Sequence, residues 1–342
     1  MNSLTRLDQV PYDPDLVEGA RNAVRVCLNV KPGEKVTLIT DRSTLEVGAS
    51  LFDELKNVGA VVQEFVLEDY SERPLKNTPA RVLDSVGRSA ATLYAVNPQP
   101  GEVVTRAQVI NLATRRKVRY GHMVGITKRI MTEGMRADFH KINRLSLRLR
   151  GMLNESRVIR VTSPAGTDLE VEHDPLKYRW IKTSGLISRD AWGNLPGGEI
   201  FTHPALVRGV WVCDGPAGDY FSQKYGDLKE TPLKVEISNS RIKKASCDRT
   251  EVAREFWDYV QEANNANRVG EVAVGTNLNV KEFTGNLLQD EKIPGFHIAF
   301  GEPCGVLTGA DWTSPTHIDL LARNCNIWLD GRQIMADGQF VM

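Results

Sequence analysis

The chain has no excess of charge of either sign: 43 lysines and arginines stand against 43 aspartates and glutamates. A balanced chain has no electrostatic reason to seek nucleic acid or an anionic membrane, so neither is expected as a partner. Long apolar runs are missing too, and nothing approaches the ~20 residues that cross a bilayer. The opening Met1-Asn2-Ser3-Leu4-Thr5-Arg6 lacks the apolar stretch of a signal peptide. Cysteine is sparse. Cys27, Cys213, Cys247, Cys304 and Cys325 are scattered, odd in number and without a Cys-x-x-Cys pair. That pattern fits a reducing cytoplasm and excludes a structural zinc ribbon. A metal in this protein would be held by oxygen and imidazole nitrogen. No Gly-x-Gly-x-x-Gly follows the first strand and no Walker lysine loop is present, leaving nucleotide binding without support.

At 342 residues the chain is long enough for two domains. Its apolar and charged shares, 41% and 25%, are those of an ordinary soluble globular protein. The first half alternates helix and strand patterns. Pro14 to Leu28 has helical spacing and stops before the turn Lys31-Pro32-Gly33-Glu34; Lys35 to Thr40 reads as a buried strand. Ser43 to Asn57, Val61 to Leu67, Pro79 to Arg88 and Ala91 to Val96 continue as helix, strand, helix and strand. Such alternation predicts an α/β domain with a doubly wound, mostly parallel sheet over residues 1–155. Lys128 to Asn154 reads as one long basic amphipathic helix with a solvated face.

Residues 156–342 are instead rich in hairpin signals and predict an α+β, metal-binding domain. Strand pairs are expected at 158–162 with 168–171, 233–237 with 242–245, and 327–329 with 334–335, with one helix from Thr250 to Asn264.

Four motifs in this second half carry candidate ligands. In His317-Ile318-Asp319 the alternation of a strand puts imidazole and carboxylate on one side. The glycine-rich loop Gly193 to Gly198 delivers Glu199 next to Ile200 and Phe201. A carboxylate there is costly to bury unless it is paired or bound to a cation. Glu271 opens the short apolar strand Val272-Ala273-Val274, and His297 lies in Phe296 to Gly301, just after Asp290-Glu291-Lys292. Each residue read singly also fits an ordinary cap, salt bridge or core histidine. Together, two imidazoles and three carboxylates suit zinc, cobalt, manganese or iron.

These same segments resemble the aminopeptidase T/aminopeptidase S family of M29-type metallopeptidases: Asn194 to Thr202, Glu271 to Asn277, Asp290 to Lys292 with His297 to Gly301, and His317 to Asp319. The resemblance extends over most of the chain, including the Val30 to Glu34 turn. It implies a homodimer and a site of two divalent ions (zinc, cobalt or manganese) held by Glu199, Glu271, His297, His317 and Asp319. It also implies hydrolysis of N-terminal residues or a small amide by metal-activated water, with Glu271 as bridging ligand or proton shuttle. Two departures are present: Cys304 stands where peptidase members have a tyrosine, and the chain is shorter than those peptidases. A side branch of the same fold, similar to 2,5-dihydroxypyridine 5,6-dioxygenase, implies the alternative: one Fe(II) on His297, His317 and Asp319, opening a hydroxylated aromatic ring.

Overall fold

The turn at Lys31 to Glu34 does separate a helix from a strand. Gly33 adopts φ +78°, a left-handed conformation that glycine reaches without strain, and its N–H donates to Gly59 O at 2.8 Å. The computed structural model describes residues 4–189 and 192–342, and the chain divides into two compact units. Unit 1 comprises Met1–His140 and Gly185–Gly197; unit 2 comprises Lys141–Ser184 and Gly198–Met342.

In unit 1, α1 (Leu16–Arg21) runs on as a π-helical turn, Asn22–Cys27. It is followed by β1 (Lys35–Thr40), α2 (Leu45–Asn57), β2 (Val61–Val66), α3 (Ala80–Arg88), β3 (Ala91–Ala95), α4 (Val103–Arg116) and β4 (Arg119–His122). The strands pair in parallel in the order β2-β1-β3-β4, which is the doubly wound α/β arrangement expected from the alternation. A fifth parallel strand, Trp192–Asn194, joins β4 from the returning segment. One face of this sheet packs Ile39, Tyr94 and Tyr120 with Val82 and Val109 of the helices. The long basic helix expected from Lys128 to Asn154 is two helices, α5 (Lys128–Thr132) and α6 (Phe139–Glu155). Gly134 lies in a tighter turn between them and Ala137 is extended, ψ 152°, so the helical hydrogen-bond ladder is interrupted.

Unit 2 is β-rich. After α6 come β5 (Val158–Thr162), β6 (Asp168–Glu172) and β7 (Ile181–Thr183). With β8 the strand in unit 1, it continues with β9 (Glu199–Thr202), β10 (Leu206–Cys213), β11 (Leu233–Ser238), β12 (Arg241–Ser246), β13 (Val269–Gly275), β14 (Gly295–Gly301) and β15 (His317–Leu321). The chain closes with β16 (Asn326–Leu329), β17 (Arg332–Ala336) and β18 (Gln339–Phe340). All three expected hairpins form, as β5 with β6, β11 with β12 and β16 with β17. They belong to an eight-stranded antiparallel sheet, β12-β11-β10-β6-β5-β16-β17-β18. A second antiparallel sheet has the order β15-β14-β13-β9-β7. The two share one core, in which Trp211 and Val235 meet Ile200, Val272, Phe296, Ile298, Phe300 and Leu320. The helix Thr250–Gln261 adds Phe256 and Val260 to it.

Candidate metal centre

In the five-stranded sheet every second residue faces the core, and the alternate set faces the other way. Ile200 pairs with Val274, Thr202 with Val272, and Phe300 with Ile318 on the core side. On the opposite side Glu199 pairs with Gly275, His297 with Ala273, Ala299 with both Glu271 and Asp319, and His317 with Gly301. All five sequence-derived ligand candidates therefore share one face. Ala273, Ala299, Gly275 and Gly301 are among their cross-strand neighbours there, small enough for carboxylates and imidazoles to lean over them; Leu321 flanks His297 and Thr183 flanks Glu199 on the far sides. Gly275 has no room for anything larger: a Cβ would stand 1.8 Å from Ile293 O.

Three groups of donor atoms lie within 4.8 Å of one another among the described residues: Glu199, Glu271 and His297; Glu271, His317 and Asp319; and Glu291, His297 and Asp319. Glu271 is common to the first two. The group that holds His317 and Asp319 takes Glu271 as its third member, and none of the three groups joins both histidines. Of these side chains His317 is the most exposed, at 33%, ahead of Glu291 at 16%.

The first two groups differ in how well the protein already satisfies them. Lys292, fully buried, donates from Nζ to Glu199 Oε2 at 2.7 Å and also to Glu291. His297 Nε2 donates to Glu199 Oε1 at 3.1 Å, which uses the lone nitrogen position a metal would need. Burial opposes ionisation of Glu199, yet Lys292 and His297 hold it down at about 2. Around Asp319 the pattern is the reverse. Its Oδ1 is buried and makes no hydrogen bond among the described residues, with His317 Nε2 facing it at 3.4 Å. Glu271 has its nearest cationic neighbour, His297 Nε2, at 3.9 Å. Burial pushes its carboxyl up to about 8; His317 draws it down, and Glu199 and Asp319 add to the rise. His317 Nδ1 donates to Glu302 O at 2.9 Å, which turns Nε2 toward Asp319. Against the effect of burial, the Asp319 and Glu271 carboxylates raise the ring's affinity for a proton there, and a metal on Nε2 would take that proton's place. A cation among Glu271, His317 and Asp319 would satisfy the orphaned oxygen and offset two buried carboxylates, so these residues fit a divalent ion.

Lys292 and Glu291 were present in the sequence motif but not singled out as site residues; the signal was a charged triplet running into an apolar strand. Cys304 has φ 51° and joins none of the three donor groups. Burial pushes its thiol up to about 12, with Glu271 and Glu302 acting the same way, and a thiol so held is a poor nucleophile. Trp312 belongs to a packed stack: its Nε1 donates to His203 Nε2 at 3.3 Å, and the Arg268 guanidinium lies 4.3 Å from its ring. His203 in turn donates from Nδ1 to Gly270 O at 2.9 Å, beside Glu271. Trp192 lies in unit 1, edge-on to His122 at 5.6 Å.

A family model described as NicX, 2,5-dihydroxypyridine 5,6-dioxygenase, matches residues 15–342. No curated protein matches the chain significantly. Among solved structures, 2,5-dihydroxypyridine dioxygenase from Pseudomonas putida KT2440 superposes with a TM-score of 0.71 at 15% identity, covering 97% of this chain and 98% of that one. AmpT from Thermus thermophilus superposes with a TM-score of 0.69 at 17% identity, covering 96% and 99%. At these identities the two structures speak for the fold, and they do so almost equally.

Proposed function

The chain belongs to the 2,5-dihydroxypyridine 5,6-dioxygenase family, and on that premise we propose that it is a metal-dependent dioxygenase. It would use one ferrous ion held by Glu271, His317 and Asp319 to open the ring of a hydroxylated pyridine or a similar small, electron-rich aromatic. The observation that carries this reading is the buried Asp319 Oδ1, which makes no hydrogen bond among the described residues and faces the His317 imidazole in a compact group with a second carboxylate. Oxygen and nitrogen donors of this kind suit Fe(II), and three protein ligands leave positions open for substrate and oxygen. The familiar non-haem triad has two histidines and one carboxylate; here Glu271 takes the place of one histidine, leaving two carboxylates to match the charge of a divalent cation.

A ferrous ion supplies the one-electron chemistry that brings dioxygen and an electron-rich ring into reaction. The chain supplies the geometry. The Glu302 carbonyl holds the His317 ring, the β13-β14-β15 register sets Glu271 and Asp319 on one side, and Ala273 and Ala299 keep that side low. The His203 bond to Gly270 O steadies the backbone that carries Glu271.

A second reading is favoured by one observation, the membership of Glu271 in two donor groups. Two divalent ions bridged by Glu271 would suit a hydrolase acting on an N-terminal residue or a small amide. The assay that separates the readings uses protein reconstituted anaerobically with ferrous iron and then exposed to air. With 2,5-dihydroxypyridine it is expected to consume oxygen and to lose the ring absorbance together, and protein treated with chelator is expected to do neither. Aminoacyl anilide cleavage with zinc, manganese or cobalt, in the absence of ring opening, would establish the hydrolase instead.

A further inference from the structure

We propose that Lys292 closes the Glu199–Glu271–His297 metal position by committing Glu199 to its ammonium group, and thereby holds the centre to a single ion. The inference rests on the reading that an ion occupies Glu271, His317 and Asp319.

Lys292 is fully buried, and lysine is almost never buried to that extent unless its charge is paired. Its Nζ lies 2.7 Å from Glu199 Oε2 and also bonds Glu291. Glu199 is thus committed at both oxygens, to Lys292 through Oε2 and to His297 through Oε1. Thr183 Oγ1 reaches the same Oε2 at 3.4 Å. A divalent ion bound by Glu199 and His297 would need His297 Nε2 without hydrogen, whereas Nε2 now carries the N–H that it donates to Glu199. It would also sit beside a like charge in a buried region, where screening by water is weak.

Lys292 thus bridges one carboxylate of β9, Glu199, and one of the segment before β14, Glu291, and with His297 leaves Glu199 no free oxygen for an ion.

The test is metal stoichiometry, which does not depend on knowing the substrate. Purified apo-protein is titrated with zinc or manganese by calorimetry, and bound metal is counted after desalting. Wild type is expected to take up about one ion per chain and Lys292→Gln about two; Lys292→Arg, which keeps the cation, is expected to stay near one. A gain of binding is not what a merely structural lysine would produce on removal. A folded Lys292→Gln chain that still binds one ion overturns the proposal. If that variant does not fold, Glu199→Gln decides. The proposal expects it to keep the wild-type stoichiometry of about one ion per chain, because Glu199 is not a ligand of the resident ion. Loss of the ion in Glu199→Gln overturns it. The outcomes separate from those of the proposed function: a stoichiometric gain in Lys292→Gln without any ring opening by wild type would preserve the lysine's role and reject the reaction.

Discussion

Glu271→Gln is expected to abolish metal retention while leaving the metal-free protein at least as stable as wild type. The substitution keeps shape and volume and removes one charge. Altering a partner one shell beyond a metal typically costs ~10–100-fold in affinity, so removing a ligand's charge should cost at least ~100-fold. The stability half follows from the metal-free environment. Glu271 is buried with its nearest cation at 3.9 Å, and Glu199 and Asp319 crowd it with like charge. A neutral amide relieves that crowding. Metal content after dialysis and thermal unfolding in chelator are the two measurements. A variant that keeps its ion, or one whose metal-free form unfolds well below wild type, would show that Glu271 is held by something other than the centre described.

Gly275→Ala is expected to be the most damaging single methyl group in unit 2. The added Cβ would meet Ile293 O at 1.8 Å, Ile293 C at 2.7 Å and Lys292 C at 2.9 Å, all of them backbone atoms. Backbone cannot rotate away as a side chain can, so β13 and the 292–293 segment must separate. That movement displaces Lys292 from Glu199 and disturbs the pairing of Gly275 with both Glu199 and Gly295. The cost is on the order of 4 kcal/mol, at the high end for point substitutions. Gly151→Ala is the contrast. Gly151 lies inside α6, and a Cβ there meets nothing within 4 Å. It is expected to add about 0.5–1 kcal/mol of stability through helix propensity alone. Urea unfolding of both variants gives the comparison, and equal small effects would mean that the close approach at Gly275 is not rigid.

The parts of this architecture that were legible in the sequence are those set by short-range periodicity. Alternating helix and strand patterns gave the parallel sheet, and turn signals gave the three hairpins. The two-residue period of a strand placed His317 and Asp319 on one side, and the register with β14 bears that out. For Glu199, the argument that a carboxylate bordered by Ile200 and Phe201 must be paired or metal-bound left two outcomes open. The structure supplies a pair, with Lys292. Long-range register was not legible. Glu271 comes to stand with His317 and Asp319 because β13, β14 and β15 are aligned at Ala299, after an irregularity between Val269 and Glu271, and no local pattern announces such an alignment. Nor did the sequence disclose the return of Gly185–Gly197 to the first sheet, since a three-residue strand is too short for periodicity to register. The break between α5 and α6 was hidden for the opposite reason: apolar spacing continues across it while the backbone does not.

The central claim is a single ion held by Glu271, His317 and Asp319, with the neighbouring position closed by Lys292. The most direct test is elemental analysis of protein purified anaerobically without added metal or chelator, expressed as metal per chain. About one iron per chain is the predicted result. About two zinc, manganese or cobalt ions per chain would contradict it and would turn the centre into a bridged pair with Glu271 at its middle.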